Sequence, residues 1–430
     1  MTRRVVSNEA LSPVAPAAEP DPAAPRSPQS PRRLLPSISV LAFVMFASYS
    51  GVGQVLLPNQ LAIVDAPHKV ANLAIISTLT FVVTLLTQPI IGTFSDRTRS
   101  RMGRRAPWMV IGAAVGGLLL IGMGSLSSVI WIAVFYVVVQ LSFNALQGPF
   151  TAIVPDRFPP ARRGIASAMF GIGTTAGITI GILVSGQLAA HLGVAYAAFG
   201  IVVIIAALLF VLLNRDYSSK DAVVERLTFR SFVAGFWISP RKHPDFAWAF
   251  AARFLFILGY FVVFAFQLYL LTDYVGLKLG AADQAIGALA LASLATTVIS
   301  VIIGGMWSDR IGRRKVFVYA ASVFVALGLA VPLLLPSVAG MLIMSAVSGI
   351  GFGLYTATDT ALMTQVLPKD GATAGKDLGI LNIATNLPQA LSAAVAGVLI
   401  GSLGYPALFV FGMIAVVLGA IAVRPIRGVR

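Results

Sequence analysis

Along this chain of 430 residues, long apolar runs alternate with short polar connections almost to the last residue. A helix that crosses a bilayer needs about 20 largely apolar residues. Twelve runs meet that length: 37–63, 70–94, 107–126, 129–153, 164–188, 194–213, 246–271, 282–306, 316–335, 338–365, 379–401 and 405–423. The one long interruption, 214–245, divides them six and six. Within it Phe229, Phe232, Phe236 and Trp237 alternate with Arg230, Arg241 and Lys242, the pattern of an amphipathic segment lying at an interface. Residues 1–36 differ: eight prolines from Pro13 to Pro36 fall among Ala, Ser and Gln, with too few large apolar residues to build a core. They read as a disordered tail, too long and polar for a cleaved leader. The pattern thus predicts an all-α integral membrane protein: tail 1–36, six-helix bundle 37–213, linker 214–245, six-helix bundle 246–423, short tail 424–430.

Composition supports the pattern. The chain is 57% hydrophobic and 11% charged, where soluble domains carry roughly 45–50% and about 25%. A large soluble enzyme, a coiled coil and a disordered scaffold are excluded. The 31 Lys+Arg against 16 Asp+Glu, net +15, would by themselves point to nucleic acid. Position decides otherwise. With the N-terminus inside, 28 of the 31 basic residues fall on inward loops and tails, Lys69 and Lys278 on outward loops, and Arg253 within a span. This is the positive-inside bias. It places both termini at the cytoplasmic face of an inner or cytoplasmic membrane, and no nucleic-acid partner is expected. Trp108, Trp131, Trp248 and Trp307 fall at helix ends, where amphipathic rings settle. There is no cysteine, and His68, His191 and His243 are scattered, so no metal site is expected. Neither HExxH, GxSxG nor a P-loop occurs, so an enzyme, a cofactor and ATP hydrolysis are not expected.

An internal repeat narrows the reading. Gly92 to Arg97, GTFSDR, recurs 213 residues later as Gly305 to Arg310, GMWSDR. The first copy continues to Gly103, Arg104 and Arg105, the second to Gly312, Arg313 and Arg314. Pro155 and Pro368 share the 213-residue offset. Two related six-helix halves are a transporter architecture with a solute site between them. Asp96 and Asp309 each end a helix among guanidinium groups and near a helix N-terminus, where a carboxylate is favoured.

At these residues, over about 37–423, the chain resembles the major facilitator superfamily, whose loop motif reads roughly G-x-x-x-D-R-x-G-R-R. The longer first copy, Ser95 to Trp108, is similar to the glycoside/sugar–cation symporters and the sucrose-transporter branch. So is the stretch from Tyr355 and Asp359 through Pro368 to Gly379. The resemblance implies two pseudo-symmetric bundles and alternating access, with helices one, four, seven and ten lining the cavity. It also implies that Gly92, Asp96, Arg97, Gly103, Arg104, Arg105 and their counterparts Gly305, Asp309, Arg310, Gly312, Arg313 and Arg314 form a conformational latch; setting topology is the other role these arginines can have. Helix five lacks the Gly-Pro pair of drug–proton antiporters. Helix two, Lys69 to Phe94, has no carboxylate, so the sodium site of melibiose-type symporters does not carry over.

Two charges lie well inside spans, Arg253 in helix seven and Asp359 in helix ten. At 1.5 Å per residue both fall roughly 10–14 Å from the inner surface. A charge there costs at least about 2.5–3.5 kcal/mol, so it is paired or functional. The expectation is an Arg253–Asp359 pair facing the cavity, with Asp359 carrying the coupling proton; a permanent structural ion pair is the other reading. Tyr49, Gln54, Asn59, Gln140, Asn144, Gln147, Tyr260, Gln267 and Tyr355 are the cavity candidates. Amides and phenols suit a neutral polyhydroxylated ligand, and can equally bond between helices. Gly173, Gly177, Gly181 and Ser185 form a small-residue ladder for close packing on helix five. The sequence therefore reads as a monomeric secondary transporter among membrane lipid, moving a sugar or glycoside with a proton or other cation. An exporter of amphipathic drugs is the alternative. A non-transporting sensor or scaffold is more remote, since 214–245 holds no folded domain.

Overall fold

A computed structural model of the chain describes residues 31–215, 219, 243–311, 313–366 and 374–426. The tail ahead of Pro31, most of the predicted linker with its amphipathic segment, and the end of the chain lie outside the described residues.

The described residues form helices and no strands. Hydrocarbon offers backbone groups no water, and a helix satisfies its own N–H and C=O groups. The first helix, α1, runs through Pro31–Gly51, a π-helical turn Val52–Leu56 and Leu57–Val64. Then follow α2 (Lys69–Arg97), α3 (Ala106–Met123), α4 (Val129–Arg157), α5 (Pro160–Leu188) and α6 (Leu192–Leu213). In the second half, α7 comprises Pro244–Phe264, Gln267–Tyr269 and a second π-helical turn, Leu270–Tyr274. It is followed by α8 (Leu279–Ile311), α9 (Arg314–Leu334), α10 (Val338–Val366), α11 (Ala374–Leu403) and α12 (Pro406–Val423). Eleven helical stretches are long and apolar enough to cross a membrane, and one of them, Arg162–Leu213, is 52 residues long. At 1.5 Å per residue it spans about 78 Å, more than twice a bilayer core. The 3-10 turn Ala189–His191 divides it into α5 and α6, which brings the crossings to the expected twelve.

Most helix ends fall within about five residues of the hydropathy reading, and two differences have a clear physical origin. The first helix starts at Pro31 rather than 37, because Leu34 and Ile38 both pack into the core and extend its buried stripe. Pro31 is tolerated there, since the first turn's N–H groups have no intrahelical acceptor. The seventh helix is interrupted at Ala265 and Phe266 before its π-helical turn, and the bend carries Tyr269 across to the first half.

Packing repeats with the sequence. In the first half α1 lies on α5 and α6, α3 on α4 and α6, and α2 on α4. Adding six to each number gives the second half: α7 on α11 and α12, α9 on α10 and α12, and α8 on α10. The seam between halves is symmetric too, made by α2 with α11 and α5 with α8. The α1–α5 pair explains the glycine ladder. A Cβ on Gly173 would sit 2.2 Å from the Ser39 carbonyl oxygen, on Gly177 2.4 Å from that of Phe43, and on Gly181 2.3 Å from that of Ala47. Both helices step by four in parallel, so the backbones touch at each turn, and Ser50 Oγ adds a bond to the Ile178 carbonyl at 2.8 Å.

Gly177→Ala is expected to cost about 1–3 kcal/mol of overpacking. Gly171→Ala on the same helix has open space around its Cβ and is expected to be neutral or to gain up to about 1 kcal/mol. Thermal unfolding in detergent compares the two variants.

Candidate functional site

Three helices of the second half meet at a buried ion pair. Arg253 on α7 places Nη1 2.9 Å from Asp359 Oδ2 on α10, and its Nη2 donates to Thr385 Oγ1 on α11 at 2.6 Å. Tyr355, one turn before Asp359, donates its hydroxyl to Asp359 Oδ1 at 2.8 Å. Asp359 is 6% exposed, so the levels inferred from sequence coincide and both carboxylate oxygens are engaged. Arg253 Nε is buried with no hydrogen-bond partner. An aromatic ladder runs along the same two helices: Phe256 stacks on Tyr355 at 3.8 Å, and Tyr260 on Phe352 at 4.5 Å. The site can exchange one proton at a carboxylate whose counter-ion is a fixed guanidinium. Among the described residues no group of three or more His, Asp or Glu converges as metal ligands would.

The cavity candidates divide. Asn144 Nδ2 donates to Thr84 Oγ1 on α2 at 2.9 Å and Gln267 Nε2 to Ser345 Oγ on α10 at 3.3 Å, each on a neighbouring helix, whereas Tyr355 donates to Asp359 on its own helix. Tyr49 packs edge-on against Phe143 at 5.3 Å, its hydroxyl buried and unpartnered. Gln140 and Tyr260 are buried, and Gln54 and Gln147 half-buried. Asn59 belongs to the seam: its Nδ2 donates to the Val55 carbonyl at 3.0 Å and to Asp283 Oδ1 on α8 at 2.6 Å.

That contact is part of a clasp between the halves at one end of the bundle. Beside it Tyr269 donates to the Pro58 carbonyl at 3.0 Å, and Lys69 Nζ meets Asp273 Oδ1 at 2.6 Å. Burial pushes the Asp273 carboxyl up, but hydrogen bonds from Lys69, Tyr405 and Thr272 together hold it below its ordinary 3.8. A lowered carboxylate contributes its stabilisation above 3.8 and loses it only as pH falls through the lowered value. Asp273 therefore stays ionised across the neutral range.

At the opposite, basic end the first motif copy is assembled. Gly103 turns the chain at φ +85°, a left-handed value that favours glycine. Arg105 follows at the start of α3, its side chain 9% exposed. Its Nη1 lies 2.5 Å from Asp96 Oδ1 and donates to Ser95 Oγ at 3.2 Å, while its Nε lies 3.1 Å from Asp156 Oδ2. Arg104 Nη2 reaches the same Asp156 oxygen at 2.9 Å. Arg97 ends α2 and is engaged. No atom lies within 4 Å of where a Cβ would sit on Gly92 or Gly305. In the second copy Arg310 and Arg313 are exposed and Arg314 begins α9; the Asp309 side chain and Gly312 lie outside the described residues.

Sequence reading passed over Asp156, Thr385 and Asp283. Asp156 was legible as an acidic residue directly after Pro155, amid arginines. Asp283 sits at the start of a span, where a charge looks solvated. Yet Ala282, Ile286 and Leu289, all buried, mark an inward face beginning at its own turn. Thr385 carries no sequence signal, since its role is to accept from a residue 132 positions away.

The sequence profile described as Major Facilitator Superfamily matches residues 38–278 and 260–429. Lactose permease of Leuconostoc lactis is 30% identical over 104 residues, 21% of this chain and 16% of that protein. An uncharacterized symporter of Synechocystis sp. is 34% identical over 83 residues, 16% of this chain and 15% of that protein. The matched segments thus span about one sixth of those relatives. Among solved structures, the nucleoside transporter NupG superposes with a TM-score of 0.69 at 14% identity, over 91% of this chain and 98% of that one. A bacterial homolog of the human lysosomal transporter Spinster, inward-facing and occupied, gives 0.66 at 16% identity, over 92% and 95%. At these identities the likeness is one of fold.

Removing one partner of a buried ion pair strands the other. Asp359→Ala is expected to cost about 3–5 kcal/mol, and the neutral pair Arg253→Gln with Asp359→Asn to recover much of it. Thermal unfolding of the three variants in detergent tests this; equal losses in single and double would count against a mutually dependent pair.

Proposed function

The chain belongs to the Major Facilitator Superfamily and is a multi-pass membrane transporter, and we propose that it moves a sugar or glycoside by symport with a proton. The observation that carries this reading is the Arg253–Asp359–Tyr355 cluster. It holds a carboxylate, buried among three helices of one half, whose charge state decides whether Arg253 has a counter-ion. Protonating Asp359 would free the guanidinium, and its unpartnered Nε–H is already available to donate to an oxygen. A neutral hydroxylated solute supplies such oxygens without bringing a charge. Stacked rings beside the pair offer apolar faces on which a sugar ring can lie.

In the proposed orientation the basic end faces the cytoplasm of an inner membrane. The clasped end is then the outer one, and the arrangement is closed to the outside. The motif at the inner end, with Arg105 between Asp96 and Asp156, would exchange partners as the halves rock. Export of an amphipathic cation is the second reading, favoured by the aromatic ladder. The paired state of Asp359 favours the first, because a cationic cargo would have to compete with Arg253 for that carboxylate.

Uptake of a labelled sugar panel into proteoliposomes, with and without an imposed pH gradient, tests the reading. Gradient-driven accumulation of at least one sugar is expected. Asp359→Asn should abolish accumulation while leaving exchange at equal concentrations; uphill transport surviving in that variant would overturn the coupling role. Efflux of a cationic dye with no sugar signal would favour export.

A further inference from the structure

Asp283 is a third acid of consequence inside the bundle, and the proposed coupling at Asp359 does not use it. It sits in the second turn of α8, 5% exposed, against the other half of the molecule. Asn59 of α1 donates to it at 2.6 Å. On α5 a Cβ at Gly186 would lie 2.2 Å from the Asp283 carbonyl oxygen, so the backbones touch there. Asp359 has Arg253 and Asp273 has Lys69, but Asp283 has no cation within ion-pairing distance among the described residues. Its side-chain partner across the seam is a neutral amide. Each of the facing helices α1 and α7 has a π-helical turn beside this point, Val52–Leu56 and Leu270–Tyr274, an irregularity frequent at functional sites.

We propose that Asp283 is a proton-controlled gate residue: it takes up a proton from the solvent at the clasped end as that end closes, and releases it as that end opens. The physical reason is the difference between its two surroundings. Closure takes the carboxylate out of water and offers it one amide donor, which disfavours the ion. Separation of α1 from α8 returns it to water. Only an O–H bond forms or breaks, and the proton comes from and returns to bulk solvent. A second protonation site at the gate would let closure register the outside pH independently of solute. The transport consequence rests on the proton-coupled reading above, but the gate itself does not need a solute.

Other titratable or charged groups surround the start of α8. His191 lies in the turn Ala189–His191, and Tyr269, Asp273 and Tyr274 lie on the end of α7, all on elements that touch α8. Lys278 is exposed just ahead of the helix. Arg314 and Lys315 on α9 and Asp359 on α10 lie toward the basic end. Asp273 is held ionised by Lys69; the imidazoles at this end, His191 and His68, the latter paired with Asp65 beside Ala66, are each replaced as controls.

The natural chain has no cysteine, so Ala66→Cys and Gly280→Cys, both exposed at the clasped end and in opposite halves, accept spin labels at two defined places. Pulsed dipolar distances are read on the full chain in liposomes at about pH 5.5 and about pH 8.5, without solute. The short-distance population is expected to grow on acidification, by up to about tenfold per pH unit in the population ratio for a single proton. Asp283→Asn should stay closed at both values, while His191→Gln and His68→Gln keep the response. Should Asp283→Asn fail to insert, Asn59→Val serves instead: losing the donor removes stabilisation of the closed, ionised state and should shrink the short-distance population at about pH 8.5, widening the difference between the two values. A parent chain with no pH response, an Asp283→Asn chain that keeps it, or an Asn59→Val chain whose difference between the two values does not widen overturns the gate. Absent sugar uptake with an intact pH response would overturn the substrate and support the gate.

Discussion

Hydrocarbon has neither water to hydrogen-bond an exposed peptide group nor the dielectric to solvate a lone charge, and the organisation of this chain follows from those two deficits. The first forces helices throughout the spans and makes their packing a matter of backbone proximity. Lipid is as apolar as leucine, so helices gain nothing by hiding apolar surface from it. The exposed Ile, Leu and Val along α3, α6 and α12 are lipid-facing positions in that setting. What holds α1 to α5 is the fit of glycines against carbonyl oxygens at each turn. The second deficit sends nearly all charge to the ends and leaves a few ionic groups inside, each of which must be matched.

Those matches follow the chain's two-fold design unequally. The five helix pairings of the first half recur in the second, and the two seam pairings exchange with each other. The buried charge does not recur. At the 213-residue offset, Val40 stands where Arg253 does and Leu146 where Asp359 does. The second half therefore holds the Arg253–Asp359 pair, and in the first motif copy Arg105 bridges Asp96 and Asp156. A duplicated frame thus carries two different electrostatic devices, one in the membrane interior and one at its surface. A third sits on the seam, where Asn59 and Asp283 join the halves directly.

Much of this was legible in the chain before any coordinates. Each of the twelve apolar runs became a helix, and the shared level of Arg253 and Asp359 followed from counting 1.5 Å steps from the helix ends. The misses have a common cause. Helix seven reads as one run because Ala265 and Phe266 are apolar, and hydropathy is blind to a backbone break that apolar residues make. Asn59 reads as a cavity amide because its helix is a cavity helix; that it turns to Asp283 depends on the neighbour 224 positions away. Asn144 and Gln267 likewise found partners on adjacent helices.

The sequence alone determined the medium, the number of crossings and the duplicated halves, because hydrophobic length, charge placement and repeated motifs are properties of a chain read in order. The resemblance of its loop motif to one transporter family came from the same kind of local pattern. Tertiary structure decided which polar groups are spent on each other and which remain available. It gave Thr385 to Arg253, Asp156 to Arg105 and Asn59 to Asp283, and left the Tyr49 hydroxyl and Arg253 Nε without partners. Hydrogen bonds reach only about 3 Å, and which atoms come that close is set by how helices distant in sequence are packed side by side.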